Sequence, residues 1–288
     1  MTEKSRHLFV FGHGYSATTL SRRLLRDGWQ VTGTVRDRAK AEELRAMGVT
    51  PLVVPDDDIA PALAAASHLL VSAAPDAQGD PMLAGFTDAL DAARGLSWIG
   101  YLSTTGVYGD HGGDWVDETT PLTPATKRGQ MRVEAETAWQ SYAAARDIPL
   151  AIFRLAGIYG PGRGPFAKVR AGTARRIIKK GQVFSRTHVE DIAQVVEAAM
   201  NRPQSSGIFN VCDDDPAPPQ DVIAYAAELL GRPVPPAIDF ETADLTPMAR
   251  SFYAESKKVR NTRIKEDLGV TLLYSDYRGG LRALLDQE

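Results

Sequence analysis

A glycine-rich turn near the start of the chain limits what this sequence can fold into more than any other stretch. His7 to Phe11 (HLFVF) is a short apolar run, too short for a helix and rich enough in Val and Phe for a buried strand. It ends at Gly12, and the turn then reads Gly12, His13, Gly14, Tyr15, Ser16, Ala17. This is the dinucleotide fingerprint with Ala in its third place. The first small residue permits a tight turn, the second lets a pyrophosphate approach the backbone, and the third lets the next helix pack against its strand. That helix, Ser16 to Asp27, would offer its unpaired N-terminal amides and positive dipole end to phosphates. The same glycines also suit a turn that binds nothing. The nucleotide reading rests on context: strand, turn, amphipathic helix, Gly28 as helix stop, and a second strand at Gln30 to Val35.

The end of that second strand bears on which dinucleotide is bound. A chain that grips the ribose 2′-hydroxyl of NAD usually places Asp or Glu about 20 residues after the glycines. Here the region reads Gly33, Thr34, Val35, Arg36, Asp37, Arg38, with Arg36 at the strand tip and Lys40 close behind. A guanidinium matches a 2′-phosphate bidentately, which favours NADP over NAD. The competing reading is a solvated, basic start to a helix at Ala39 to Met47.

Composition narrows the class without naming it. The 288 residues suffice for a nucleotide-binding domain and a smaller second lobe, and 43% hydrophobic with 24% charged residues describes an ordinary soluble chain. A net charge of -3 gives no reason to expect nucleic acid or an anionic membrane as partner. Cys212 is the single cysteine, which excludes an internal disulfide and a thiolate metal cluster; no metal site is expected. With a charged start (Glu3, Lys4, Arg6) and no apolar stretch of membrane-spanning length, the expected location is cytoplasmic.

Further along, Thr50 to Val54 is a third apolar run, followed by Pro55 and Asp56 to Asp58. These aspartates can cap an Ala-rich helix, and Asp58 with Ile59 can also lie against an adenine ring. His68 to Ala74 reads as a fourth strand, Pro81 to Arg94 as a helix and Trp98 to Ser103 as a fifth strand. Near-continuous apolar strands alternating with helices call for a parallel sheet covered on both faces, with ligands beyond the strands' carboxyl ends. Ala73 and Ala74 fall there, as do Thr104, Thr105 and Tyr108. A hydroxyl cluster followed by an aromatic hydroxyl can house proton transfer, or can be hydroxyls already satisfied in the fold. A long helix spans Lys127 to Arg146, another strand Leu150 to Leu155, and a basic amphipathic segment Lys168 to Lys180. The remaining elements are a helix at Ile192 to Asn201, a strand at Phe209 to Cys212, and helical stretches at Pro219 to Gly231 and Lys257 to Leu268.

Taken together, the glycine turn, the Ser-Thr-x-x-Val-Tyr-Gly stretch at 103 to 109, Arg154 with Tyr159-Gly-Pro-Gly, His188-Val-Glu-Asp and Phe209-Asn-Val resemble extended, atypical short-chain dehydrogenase/reductases of the NAD-dependent epimerase/dehydratase family. The resemblance covers nearly the whole chain. It implies an α/β, Rossmann-like, doubly wound parallel sheet with a smaller C-terminal substrate lobe. The division it suggests is 1-160 with 186-212 for the NAD(P)-binding domain and 161-185 with 213-288 for the lobe. Cofactor contacts are then expected from Gly12, Gly14, Tyr15, Ser16, Ala17, Arg36, Asp58, Ala73 and Ala74, and substrate contacts from Thr105, Arg128, Tyr159 and Arg163. The family's dimer-forming helices are matched by Pro81 to Arg94 and the long helix, implying a homodimer.

The chain departs from the family at its catalytic centre. Thr104 falls on the family's Ser/Thr that polarises the substrate oxygen. Where Tyr-x-x-x-Lys is expected, aligning the family's downstream glutamate with Glu136 puts Arg132 in the lysine place and Arg128 in the tyrosine place. Arg132 keeps the charge and can still reach a ribose. Arg128 stays protonated and cannot serve as acid or base. Tyr108 is then the better substitute donor, and Arg128 with Arg132 can clamp an anionic substrate. The one Tyr-x-x-x-Lys present, Tyr253 to Lys257, lies far downstream and reads as coincidence. The expected function is an NADP-dependent oxidoreductase or epimerase acting on a small molecule such as a nucleotide-linked sugar. The alternative is a non-catalytic NADP-binding redox sensor or partner-binding module.

Overall fold

The computed structural model describes residues 6–202, 204 and 206–287; Glu3 and Lys4 lie outside them. The first half of the chain alternates strand and helix: β1 (His7–Phe11), α1 (Tyr15–Arg26), β2 (Gln30–Val35), α2 (Arg38–Met47), β3 (Thr50–Val53), α3 (Ala60–Ala65) and β4 (His68–Val71). Two short helices, α4 (Pro81–Gly85) and α5 (Thr87–Ala92), lead to β5 (Trp98–Thr104), which runs into a single 3-10 turn at Thr105–Tyr108. There follow β6 (Trp115–Val116), the long α6 (Lys127–Ala144), β7 (Leu150–Leu155) and β8 (Gly157–Tyr159). Next come α7 (Phe166–Arg170), β9 (Arg176–Ile178), β10 (Arg186–His188), α8 (Val189–Met200) and β11 (Gly207–Val211). The chain closes with α9 (Pro219–Leu229), β12 (Ala237–Asp239), α10 (Pro247–Phe252), β13 (Lys258–Val259), α11 (Thr262–Glu266) and α12 (Tyr277–Asp286).

Seven of these strands form one parallel sheet in the order β11-β7-β5-β4-β1-β2-β3. The crossover between β1 and β4 is where the strand order reverses, and the carboxyl ends of such strands frame a crevice. One face is covered by α1 and α8, whose Leu20, Leu24, Ile192 and Val196 pack on Leu8 and Val10. The other is covered by α3, α5 and α6 through Leu63, Leu90, Ala135 and Trp139, packed on Phe9, Ile99 and Tyr101. Burial of both faces explains the near-continuous apolar strands. A separate apolar cluster, Tyr159, Phe166, Ala226, Tyr277 and Leu281 among its members, gathers α7, α9 and α12 beyond the sheet.

Four expected elements differ. The helix expected over Pro81 to Arg94 is broken at Phe86, whose backbone (φ -137, ψ 22) leaves the helical region. Its ring sits edge-on to Phe11 at 5.4 Å. Lys168 to Lys180 is one helical turn, a loop through Gly172 and a strand rather than a continuous amphipathic element. The stretch from Lys257 forms a strand with β6 before a short helix begins. The fourth strand stops at Val71, so Ala73 and Ala74 belong to the loop beyond it.

Candidate functional site

The glycine turn sits at the carboxyl end of β1, in the crevice. Gly12 has φ +82, and a Cβ there would lie 2.7 Å from the amide nitrogen of Ala73. Only glycine lets the two loops meet, and Ala73 lies against the turn. A Cβ on Gly14 would meet only the Gly12 carbonyl, at 3.9 Å, so the backbone there stays open to approach. The helix α1 begins on Gly14 with no side-chain cap and no acidic residue in its first turn. Its first amides therefore keep their donors and no carboxylate opposes an anion. Ser16 and Ala17 are buried beneath it. These features fit the pyrophosphate of a dinucleotide, with Gly12, Gly14, Tyr15, Ser16 and Ala17 as the cradle.

At the tip of β2, Arg36 is exposed, and its side chain makes no hydrogen bond or ion pair among the described residues. Asp37, the nearest carboxylate, accepts a 2.7 Å hydrogen bond from the Ala39 amide and so caps α2. Arg38 faces Asp56 at 3.4 Å, and Lys40 pairs with Glu43. His13, within the turn, is buried, held at 2.9 Å by the Ser21 hydroxyl, and burial lowers its pKa to about 4. In the next loop, Asp58 is exposed and bonds the Ala60 amide at 2.9 Å. Ile59 is 1% exposed and belongs to the core. Its side chain therefore cannot lie against an adenine ring; Asp58 alone faces outward.

The other end of the crevice is built by β5, α6 and β7. Thr104 ends β5 half-buried, and its hydroxyl oxygen accepts from the Gly106 amide at 3.2 Å. The hydroxyl proton is left to donate. Thr105 follows it, half-buried, in the 3-10 turn. On α6, Arg132 donates from Nη1 to the Leu102 carbonyl at 2.7 Å and to the Tyr101 hydroxyl at 3.1 Å. One turn earlier Arg128 is exposed, with no side-chain hydrogen bond among the described residues. It stands beside Gly129, where a Cβ would come within 3.0 Å of the Gly106 carbonyl. The start of α6 at Gly129 thus packs on the turn after Thr104.

Tyr108 is a correction. It is 0% exposed, donates to Asn210 Oδ1 at 2.7 Å and accepts from Arg154 at 2.9 Å. Burial pushes its phenol up to about 12 although Arg154 pulls the other way. A hydroxyl so enclosed cannot hand a proton to a substrate. Tyr159 is a second correction: it is 7% exposed, stacks edge-on against His188 at 5.1 Å and belongs to the cluster around α12. A Cβ on Gly280 would lie 2.0 Å from its hydroxyl. Tyr159 is core, not a substrate contact. Arg163 lies in the loop after β8, beside Tyr15, at the cofactor end of the crevice.

Behind Thr104 lies a network that sequence reasoning did not assemble. Arg154 and Glu136, both 2% exposed, pair through Nε and Nη2 with the closest approach at 2.8 Å. Ser103 donates to the same carboxylate. Glu118, raised in pKa by burial, accepts from the Asn210 amide at 2.8 Å. The signal was present: an arginine inside the apolar strand LAIFRL must find a buried partner. The downstream Tyr253 and Lys257 form no catalytic pair. Lys257 is buried and donates to the Gly109 carbonyl at 2.6 Å and to Glu255 at 2.7 Å, stapling its segment to the loop after Tyr108. Among the described residues no cluster of three His, Cys, Asp or Glu could hold a metal ion, and no helix is long and apolar enough to cross a membrane.

Comparison with known proteins agrees with this arrangement. The model of the NAD dependent epimerase/dehydratase family matches residues 8–212. Protein YeeZ of Escherichia coli K12 is 31% identical over 236 residues, covering 77% of this chain and 83% of its own. A functionally unknown conserved protein from Silicibacter pomeroyi DSS, of solved structure, is 60% identical over 98% of both chains with a TM-score of 0.92. UDP-glucuronic acid 4-epimerase from Bacillus cereus, solved with UDP-glucuronic acid and NAD, shares the fold at TM-score 0.77 and 19% identity, over 97% of this chain and 98% of its own. By its sequence, its sheet and its glycine turn, this chain belongs to the NAD-dependent epimerase/dehydratase family.

Proposed function

We propose that the protein is an NADP-dependent oxidoreductase or epimerase-like enzyme acting on an anionic polar carbonyl compound, with nucleotide-linked sugars the first class to test. The observation that carries the choice of cofactor is the contrast at the tip of β2: Arg36 is exposed with no side-chain partner among the described residues, whereas Asp37 is occupied as a helix cap. A carboxylate needed for a ribose 2′-hydroxyl is thus engaged, and a guanidinium suited to a 2′-phosphate is open. The Bacillus cereus relative, solved with NAD, is a fold neighbour and does not decide the matter. The bound cofactor would supply hydride transfer. The chain's own residues then have three tasks. Thr104 donates a hydrogen bond from its hydroxyl to the substrate oxygen, Arg128 holds negative charge on the substrate, and Arg132 fixes the start of α6 to the end of β5. A guanidinium stabilises an oxyanion or carboxylate but transfers no proton, so protonation falls to water. Residues 161-185 and 213-288 would carry the substrate side of the crevice.

The second reading, an NADP-binding sensor without turnover, is favoured by one observation: the two phenols that flank Thr104 in sequence, Tyr101 and Tyr108, are both enclosed. Incubating the protein with NADPH or NADP and a panel of sugar nucleotides, including 4-keto sugars, separates the two. Turnover that falls at least tenfold in Arg128→Ala supports the enzyme. NADPH binding without change in any substrate supports the sensor and overturns the enzyme.

A further inference from the structure

The loop after β8 carries an arrangement that cofactor binding by the glycine turn alone does not require. Gly160 and Arg163 exchange both backbone hydrogen bonds at 2.9 Å, closing a tight hairpin over Pro161 and Gly162. Pro in the second place and Gly162 at φ +70 in the third suit that turn. The hairpin is docked on the glycine turn by one residue, Tyr15, whose hydroxyl donates to the Pro161 carbonyl at 3.0 Å. The approach is close enough that a Cβ on Gly160, at φ +156, would fall 2.5 Å from that hydroxyl and 2.7 Å from Val189. Arg163 then lies over the Tyr15 ring, its guanidinium carbon 5.7 Å from the centroid. It is exposed and has no ion pair or side-chain hydrogen bond among the described residues. Tyr15 is the first residue of α1, so the guanidinium is held at the helix end whose amides face the crevice.

We infer that the Gly160–Arg163 hairpin is a preformed clamp in which Arg163, held beside the glycine turn, binds the pyrophosphate of the dinucleotide. This rests on the dinucleotide reading of that turn and extends it: the sequence assigns Arg163 to the substrate, whereas the fold places it beside Tyr15. The ring fixes the guanidinium by cation–π contact and leaves its edge donors free, and a guanidinium presents a rigid fork to phosphate oxygens. Tyr15 feels this charge, since burial raises its phenol while Arg163 lowers it and Glu190 of α8 raises it. Glu190 is the acid that faces the same ring, and it sits in the first turn of α8 rather than of α1.

The test uses two cofactors and two arginines. NADPH and NADH share the pyrophosphate and differ in the 2′-phosphate. Arg163→Gln should raise the dissociation constant of both by a similar factor, roughly tenfold, with Arg163→Glu weaker still for both. Arg36→Ala should affect NADPH alone. Thermal unfolding of each variant should match the unsubstituted protein, since Arg163 is exposed. Unchanged binding of both nucleotides by Arg163→Gln would overturn the clamp while leaving the cofactor site intact. Weakening of NADPH alone would overturn it too, by moving Arg163 to the 2′-phosphate. Failure of the unsubstituted protein to bind either nucleotide would overturn the underlying dinucleotide reading, a result that no variant is needed to recognise.

Discussion

The two ends of the crevice are built on opposite plans. At the glycine turn and the tip of β2, polar capacity is left unspent: α1 has no side-chain cap, and Arg36 and Arg163 are exposed cations without ion pairs among the described residues. At the junction of β5, α6 and β7, polar groups are spent on one another. Glu136 holds Arg154 and Ser103, and Arg154 and Asn210 together hold Tyr108. The first plan suits a region that receives charge from outside. The second suits a brace, and it makes Tyr108, which reads in sequence as a reactive phenol, a structural member. Thr104 and Arg128 stand between the two plans, one half-buried and one exposed.

The largest way to break the contrast is to remove the brace's central acid. Glu136→Ala would leave Arg154 buried and uncompensated and should cost about 3–5 kcal/mol in urea unfolding. A loss no larger than that of an exposed substitution would mean the pair does not bear on the fold. Asp213 tests the same plan where it is incomplete. The residue is 2% exposed, no side chain hydrogen-bonds its carboxyl among the described residues, and the backbone of Asp215 and Arg186 approaches it. Burial raises its pKa from 3.8 to about 8, against the pull of Arg186. A carboxyl whose folded value lies above its unfolded value keeps more protons in the native state. Stability should therefore fall as pH rises from about 4 to about 8, then level off. Asp213→Asn stays neutral throughout, so its advantage over the unsubstituted protein should grow through that window by at most about 1.4 kcal/mol per pH unit. A constant difference across the window would contradict the burial account. The smallest effect is expected from Tyr108→Phe, which strands one donor of Arg154 and one acceptor of Asn210. It should lose about 1–2 kcal/mol of stability and leave NADPH affinity unchanged; a stable variant with altered cofactor binding would return Tyr108 to the site.

The same division explains what the sequence disclosed. The sheet was legible because β1, β4, β5 and β7 are apolar on both faces, a signal that depends on local composition alone. The glycine turn was legible because the spacing of Gly12, Gly14 and Ala17 is written in consecutive residues. The brace was not, because Arg154 and Asn210 meet only when β7 and β11 pair, and Glu136 reaches them only when α6 packs against the sheet. Tyr108 and Tyr159 were misread for one reason: a tyrosine at a strand's carboxyl end looks alike whether its hydroxyl faces the crevice or the core. The docking of the Arg163 hairpin on Tyr15 was not legible, because that contact spans the domain and leaves no local trace.

The central claim is that the tip of β2 selects the phosphorylated cofactor through Arg36. The most direct test is a fluorescence titration with NADPH and with NADH, on the unsubstituted protein and on Arg36→Ala. The account predicts tighter binding of NADPH, with the substitution weakening NADPH by about 1.5–3 kcal/mol and sparing NADH. Equal loss for both nucleotides, or a preference for NADH in the unsubstituted protein, would contradict it.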